Sequence, residues 1–143
     1  MMIEDVILTP LKIIDVPDGK VFHAIKKIDP GFHDFGEAYF SEIEPKKVKA
    51  WKRHREMTLN LVVPNGEIRF VLFDDREDIS AKFQEVILST KNYYRLTVPP
   101  MIWVGFQGLS KTNSLLLNIA NFMHDPEEVD RKNINEIEFD WST

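Results

Sequence analysis

The strongest constraint on this chain is how often it is interrupted. Short apolar runs recur about every ten residues, and Pro, Gly, Asn or Asp stands at most of the junctions between them. Val6 to Val16 is broken by Pro10 and closed by Pro17-Asp18-Gly19, and Val21 to Ile28 is closed by Asp29-Pro30-Gly31. Glu37 to Glu44 ends at Pro45, Lys82 to Ser89 at Thr90-Lys91-Asn92, and Tyr94 to Val98 at Pro99-Pro100. Met101 to Gln107 and Ser114 to Ala120 are further runs of strand length. None of these segments sustains an apolar stripe at helical spacing, and no helix of ten or more residues separates the runs as an α/β alternation would need. The pattern predicts an all-β sandwich, barrel or jelly roll.

The centre of the pattern is Val48 to Arg76. It reads as two strands, Trp51 to Val63 and Glu67 to Asp74, joined as a hairpin at Pro64-Asn65-Gly66, because Asn and Gly tolerate the positive φ of a tight turn. The first strand opens in charge, with Lys52, Arg53, Arg55 and Glu56 around His54, and turns apolar at Leu59. That switch predicts one end at the mouth of a cavity and the other in a core, which makes His54 the first candidate for chemistry. Lys52 and Arg53 are adjacent, so only one of them can share a face with a given neighbour.

Composition narrows the function. With 143 residues, 43% hydrophobic and 29% charged, the chain is predicted to fold as a single domain over residues 1–143. A net charge of -5 with acids and bases interspersed argues against nucleic acid as a partner. The absence of cysteine excludes disulfides, thiolate metal sites and a cysteine nucleophile. Glu4 and Asp5 stand where a signal peptide would be basic, and no run approaches the roughly 20 apolar residues of a membrane span. The expectation is a cytoplasmic protein with no membrane partner.

Several blocks together resemble the dTDP-4-dehydrorhamnose 3,5-epimerase family, over about residues 15 to 141. They are FGEAYFSEIEPKKVKAWKRH (35–54), DDREDISAKF (74–83), EVILSTKNYYRLTVPPMIWVGFQGLS (85–110), NIANFMHDPEEVDR (118–131) and EIEFDW (136–141). The resemblance implies a cupin-like double-stranded β-helix, or jelly roll, with N-terminal strands and a short polar C-terminal tail. It also implies a chemistry: a histidine removes a proton beside the ketone of a dTDP-linked 4-keto-6-deoxy sugar, a cation steadies the enolate, and an acid on the other face returns a proton.

By that resemblance the base falls on His54, and the opposing acid, a tyrosine in the family, falls on His124. Imidazole can deliver a proton at least as readily as phenol near neutral pH. Three polar positions of the family fall on other residue types here: a lysine on Leu59, an arginine on Trp51 and a second pocket histidine on Val104. Substrate-binding candidates are Lys52, Arg53, Arg76, Trp103 and Asn118. Arg76 could grip a pyrophosphate with its guanidinium fork, or pair with Asp74, Asp75 and Asp78 on the surface. Trp103 could be core or a stacking platform. Asn118 interrupts Leu115-Leu116-Leu117 and Ile119, so its amide needs buried partners or a pocket to face.

One histidine followed by Glu56, with Val104 on the later strand, makes a poor metal site, so neither a metal nor a cofactor is expected. Three functions stay open: a nucleotide-sugar epimerase of polysaccharide biosynthesis, a non-catalytic sugar-nucleotide-binding module favoured by Leu59, and a 3,4-ketoisomerase, which would want a second histidine near His54. Family members of this kind generally pair as homodimers through N-terminal strands, and the strands before Pro45 suit that role.

Overall fold

The computed structural model describes residues 3–77 and 81–143; Asp78, one of the acids expected around Arg76, lies outside them. The order of elements is β1 (Ile7–Pro10), β2 (Ile13–Val16), β3 (Gly19–Phe22), β4 (Glu37–Ile43), β5 (Val48–His54) and β6 (Leu59–Asn65). There follow β7 (Glu67–Asp74), β8 (Lys82–Ser89), β9 (Tyr94–Val98), β10 (Trp103–Gly108), β11 (Ser114–Ala120), β12 (Val129–Arg131) and a 3-10 turn at Ile134–Glu136. Two five-stranded antiparallel sheets, β1-β9-β6-β11-β4 and β12-β5-β10-β7-β8, form the jelly roll, and β2 and β3 make a separate hairpin.

Side-chain alternation builds the core. Leu59, Leu61 and Val63 of β6 meet Ile68, Phe70 and Leu72 of β7, with Val86, Leu88, Leu96, Val98 and Leu116. Phe70 and Leu72 are fully buried, worth roughly 1.5–3 kcal/mol each in removed apolar surface. Val71 and Phe73 face the opposite way, into a second cluster with Trp51, Trp103, Ile137, Phe139 and Trp141. That explains the unbroken apolar run of β7, which is covered on both faces.

The expected hairpin at Asn65-Gly66 is a corner. Its two strands do not pair: β6 bonds β9 and β11, whereas β7 bonds β10 and β8. Gly66 keeps the positive φ that the turn reading required, +85°, and the Ser114 side chain packs where its Cβ would stand. Ser114 Oγ accepts the Glu67 N–H at 3.1 Å.

The expected strand from Trp51 to Val63 is also divided, at Arg55–Thr58, into β5 and β6 of different sheets. Side chains capture the freed backbone donors there: Glu128 Oε2 accepts the N–H groups of Glu56 and Met57 at 3.0 and 2.9 Å, and Asn121 Oδ1 accepts that of Thr58 at 2.7 Å. Earlier in the chain, the run from Val21 to Ile28 is strand only to Phe22. Beyond it the segment is pinned by the fully buried Arg95, which donates to the carbonyls of Ala24 and Pro30 at 2.8 and 2.7 Å and to Asn60 Oδ1 at 3.1 Å.

The C-terminal tail is not merely polar. β12 pairs with β5, and Ile137, Phe139 and Trp141 cover the second cluster. Before β12, Asp125-Pro126-Glu127-Glu128 is a turn closed by Glu128 N–H to Asp125 O at 3.1 Å. Among the described residues no helix is long and apolar enough to cross a membrane.

Candidate active site

A cavity of about 680 Å³ opens between the sheets. Its floor is apolar, made of Leu59, Leu61, Phe70, Val104, Phe106 and Leu116. One wall, from β5, β12 and the tail, carries His54, Lys49, Lys52, Arg131, Lys132 and Glu136; the facing wall, from β4 and β11, carries Tyr39, Ser41 and Asn118. A concave, mostly apolar space with a few convergent polar groups is the usual form of a small-molecule site.

His54 ends β5 with its ring mostly covered, at 16% exposure. Its Nδ1 lies 2.6 Å from Glu128 Oε1, and the other carboxylate oxygen is held by the two backbone donors of the β5–β6 turn. Burial alone would raise the Glu128 carboxyl, but the hydrogen bonds from His54, Glu56 and Met57 outweigh it and hold it below its ordinary value. An ionised carboxylate fixes the proton of the imidazole on Nδ1, which leaves Nε2 as an acceptor.

On the facing wall Tyr39 and Asn118 are directly opposed across β4 and β11, and the Asn118 amide donates to the phenol oxygen at 3.0 Å. Burial and the charge of Glu37 raise the Tyr39 phenol above its ordinary value, with the Asn118 bond opposing them. Asn118 is buried, and its Oδ1 has no hydrogen-bond partner among the described residues. His124 stands exposed at the rim, its backbone N–H bonded to Glu37 Oε1.

The structure thus gathers His54, Lys52, Asn118 and His124 around one cavity, and Leu59, Val104 and Trp51 also border it. Three expected binding residues lie elsewhere. Alternation along β5 sends Lys52 inward and Arg53 to the opposite face, where Arg53 is bonded to Asp130 Oδ2 at 2.8 Å and lies 4.6 Å over the Trp103 ring. Trp103 is buried beside it in the second cluster and donates to Asp75 Oδ2 at 3.2 Å, so it is core and not a platform. Arg76 is occupied by Asp74 at 2.9 and 3.0 Å and by the Glu4 carbonyl at 3.0 Å.

Sequence reasoning missed Glu128 and Tyr39. Glu128 is 74 residues from His54 in a segment that reads as loop, so no local pattern could join them. Tyr39 carried a signal, since a strand beside the one holding Asn118 would face the same pocket. Among the described residues no group of three or more His, Asp or Glu side chains is arranged to hold a metal ion.

No family model matches the chain. It is 37% identical to a dTDP sugar isomerase from Desulfovibrio desulfuricans G20, whose crystal structure superposes with a TM-score of 0.91 over 97% of this chain and 92% of that one. A Haloferax volcanii protein described as a probable low-salt glycan biosynthesis epimerase is 31% identical over 100 residues, which are 68% of this chain and 64% of the longer relative. The dTDP-4-dehydrorhamnose 3,5-epimerase of Elizabethkingia anophelis NUHP1 shares the fold, with a TM-score of 0.80 at 15% identity over 98% of this chain and 82% of that one.

Proposed function

Because this chain belongs to the family of dTDP-4-dehydrorhamnose 3,5-epimerases and related dTDP-sugar isomerases, we propose that it enolises a dTDP-linked 4-keto-6-deoxy sugar in glycan or polysaccharide biosynthesis. The observation that carries the proposal is the His54–Glu128 pair at 2.6 Å on one wall of the cavity. His54 Nε2 takes a proton from the carbon beside the ketone, and Glu128 balances the imidazolium that forms. The proton returns from the facing side, where Tyr39 and His124 are the available donors. Delivery to the face opposite the base inverts the carbon. Asn118 positions the Tyr39 hydroxyl at the cavity wall, and Arg131 meets the diphosphate that Arg76 cannot reach from its own ion pair.

A non-catalytic binding module is the second reading, and the observation that favours it is the apolar floor at Leu59 and Val104. Proton exchange separates the two. The protein is incubated with dTDP-4-keto-6-deoxyglucose in deuterium oxide, and the C3 and C5 signals are followed by NMR beside those for His54→Ala. The epimerase reading expects signal loss with the intact protein and none with the variant. Binding without exchange would establish the module.

The functional unit is a homodimer through its N-terminal strands. The β2–β3 hairpin supports this, with Ile14, Val16, Val21 and Phe22 exposed together on a two-stranded ribbon that joins neither sheet. Light scattering of Val21→Asp/Phe22→Ser should report a monomer, and a dimer surviving that change would refute this assignment.

A further inference from the structure

The cavity contains more cations than a lone base needs, and they are not equivalent. Breaking a C–H bond next to a ketone sends its electron pair into a new C=C bond and the carbonyl π pair onto oxygen, so a positive group must wait at that oxygen. Positions 59 and 104, on the cavity floor, are Leu and Val and cannot serve. Of the four cations on the cationic wall, Lys49 is engaged with the Glu42 carbonyl at 3.2 Å and Lys132 sits 4.8 Å from the Trp103 ring centre. Lys52 and Arg131 remain, and among the described residues neither has an ion-pair partner.

Register tells them apart. Lys52 lies two residues before His54 on β5, so the two side chains share a face about 7 Å apart along the strand. That interval spans a carbon acid, its neighbouring carbonyl and a hydrogen bond at each end. Arg131 pairs with Lys52 across β12, one strand further from the body of the sheet, while Val129 stands opposite His54. Two like charges directly opposed in a sheet are destabilising unless an anion lies between them.

Resting on the enolisation reading above, we infer that Lys52 is a catalytic residue whose ammonium meets the carbonyl oxygen as His54 removes the adjacent proton, in place of any cation on β6. The electrostatics agree. Partial desolvation at the cavity wall, then Arg131 and Lys49, push the Lys52 ammonium below its ordinary pKa. On reprotonation the electron pair returns to carbon, the C=O bond reforms and Lys52 is unchanged.

The test compares Lys52→Met and Lys52→Arg with the wild type in the deuterium assay at saturating sugar nucleotide, with dTDP affinity measured by calorimetry. Lys52 is exposed in the free protein, so both variants should fold; Lys52→Gln replaces Lys52→Met if its thermal melt is lost. Loss of a single oxyanion donor predicts an exchange rate down on the order of a hundredfold in Lys52→Met, with partial recovery in Lys52→Arg and dTDP affinity within about threefold. Exchange kept within threefold, or a loss that parallels weaker dTDP binding, would overturn the assignment and leave Lys52 a bystander or a phosphate anchor. A wild type that exchanges nothing would refute the enolisation reading itself and this inference with it, so the two failures can be told apart.

Discussion

Replacing Glu128 with glutamine tests the proposed role of His54 as a base without emptying the site. The carboxylate receives three hydrogen bonds, from His54 Nδ1 at 2.6 Å and from the backbone N–H groups of Glu56 and Met57 at 3.0 and 2.9 Å. Glutamine can satisfy the two backbone donors with its carbonyl oxygen, and its NH₂ then faces His54. Nδ1 must become the acceptor, so the ring proton moves to Nε2 and the base is lost.

A tautomer error of this kind lowers a rate by roughly 10²–10⁴-fold while the fold persists. Stability falls less. Three bonds to a charged acceptor become neutral ones, a loss of about 1 kcal/mol each, partly offset by the desolvation that an uncharged amide avoids, for a net of about 1–2 kcal/mol. The pH dependence changes with it. The Glu128 carboxyl is held below its ordinary value, so its stabilisation is present above the unfolded pKa and disappears as pH falls through the folded one. In the glutamine variant that part of the acid transition is absent. Deuterium exchange reads the rate, long-range ¹⁵N correlation spectra of His54 read the tautomer, and urea melts from pH 3 to 7 read the stability. A folded variant that exchanges within threefold of wild type, or retains the Nδ1–H tautomer, would refute the reasoning.

Other residues give sharper yes-or-no outcomes. Tyr39→Phe and His124→Asn should differ in the same assay: the variant that lacks the true donor keeps C–H exchange but loses the inverted product by about 10²-fold, read by the stereochemistry of the sugar. Arg95→Leu removes a fully buried guanidinium from three acceptors, Asn60 Oδ1 and the carbonyls of Ala24 and Pro30, and should lower stability by about 3 kcal/mol or more in urea melts. Asp130 is held down to about 2 from 3.8 by Arg55 and Arg53, so its contribution is present above pH 4 and is lost between those two values; Asp130→Asn should flatten the acid limb of stability there. Gly66→Ala meets both a positive φ of 85° and the Ser114 side chain, and should lose more than about 1 kcal/mol in thermal melts.

Local chemistry made much of this molecule legible in the sequence. The runs Lys82 to Ser89, Tyr94 to Val98 and Ser114 to Ala120 are strands with the same bounds in the structure, because alternation and turn residues act over a few neighbours. The positive φ at Gly66 and the cavity face of Asn118 were readable for the same reason. Tertiary structure decided the rest. Which sheet each side of the Asn65-Gly66 turn joins depends on partners up to 61 residues away, so the expected hairpin became a corner. Alternation said that Lys52 and Arg53 face opposite ways, but only the covering tail settles which side is the cavity. Glu128 reaches His54 because β12 pairs with β5, a contact that periodicity cannot encode. A strand's two-residue repeat is written in the chain, whereas the sign of its faces and the identity of its neighbours come from burying all the strands at once.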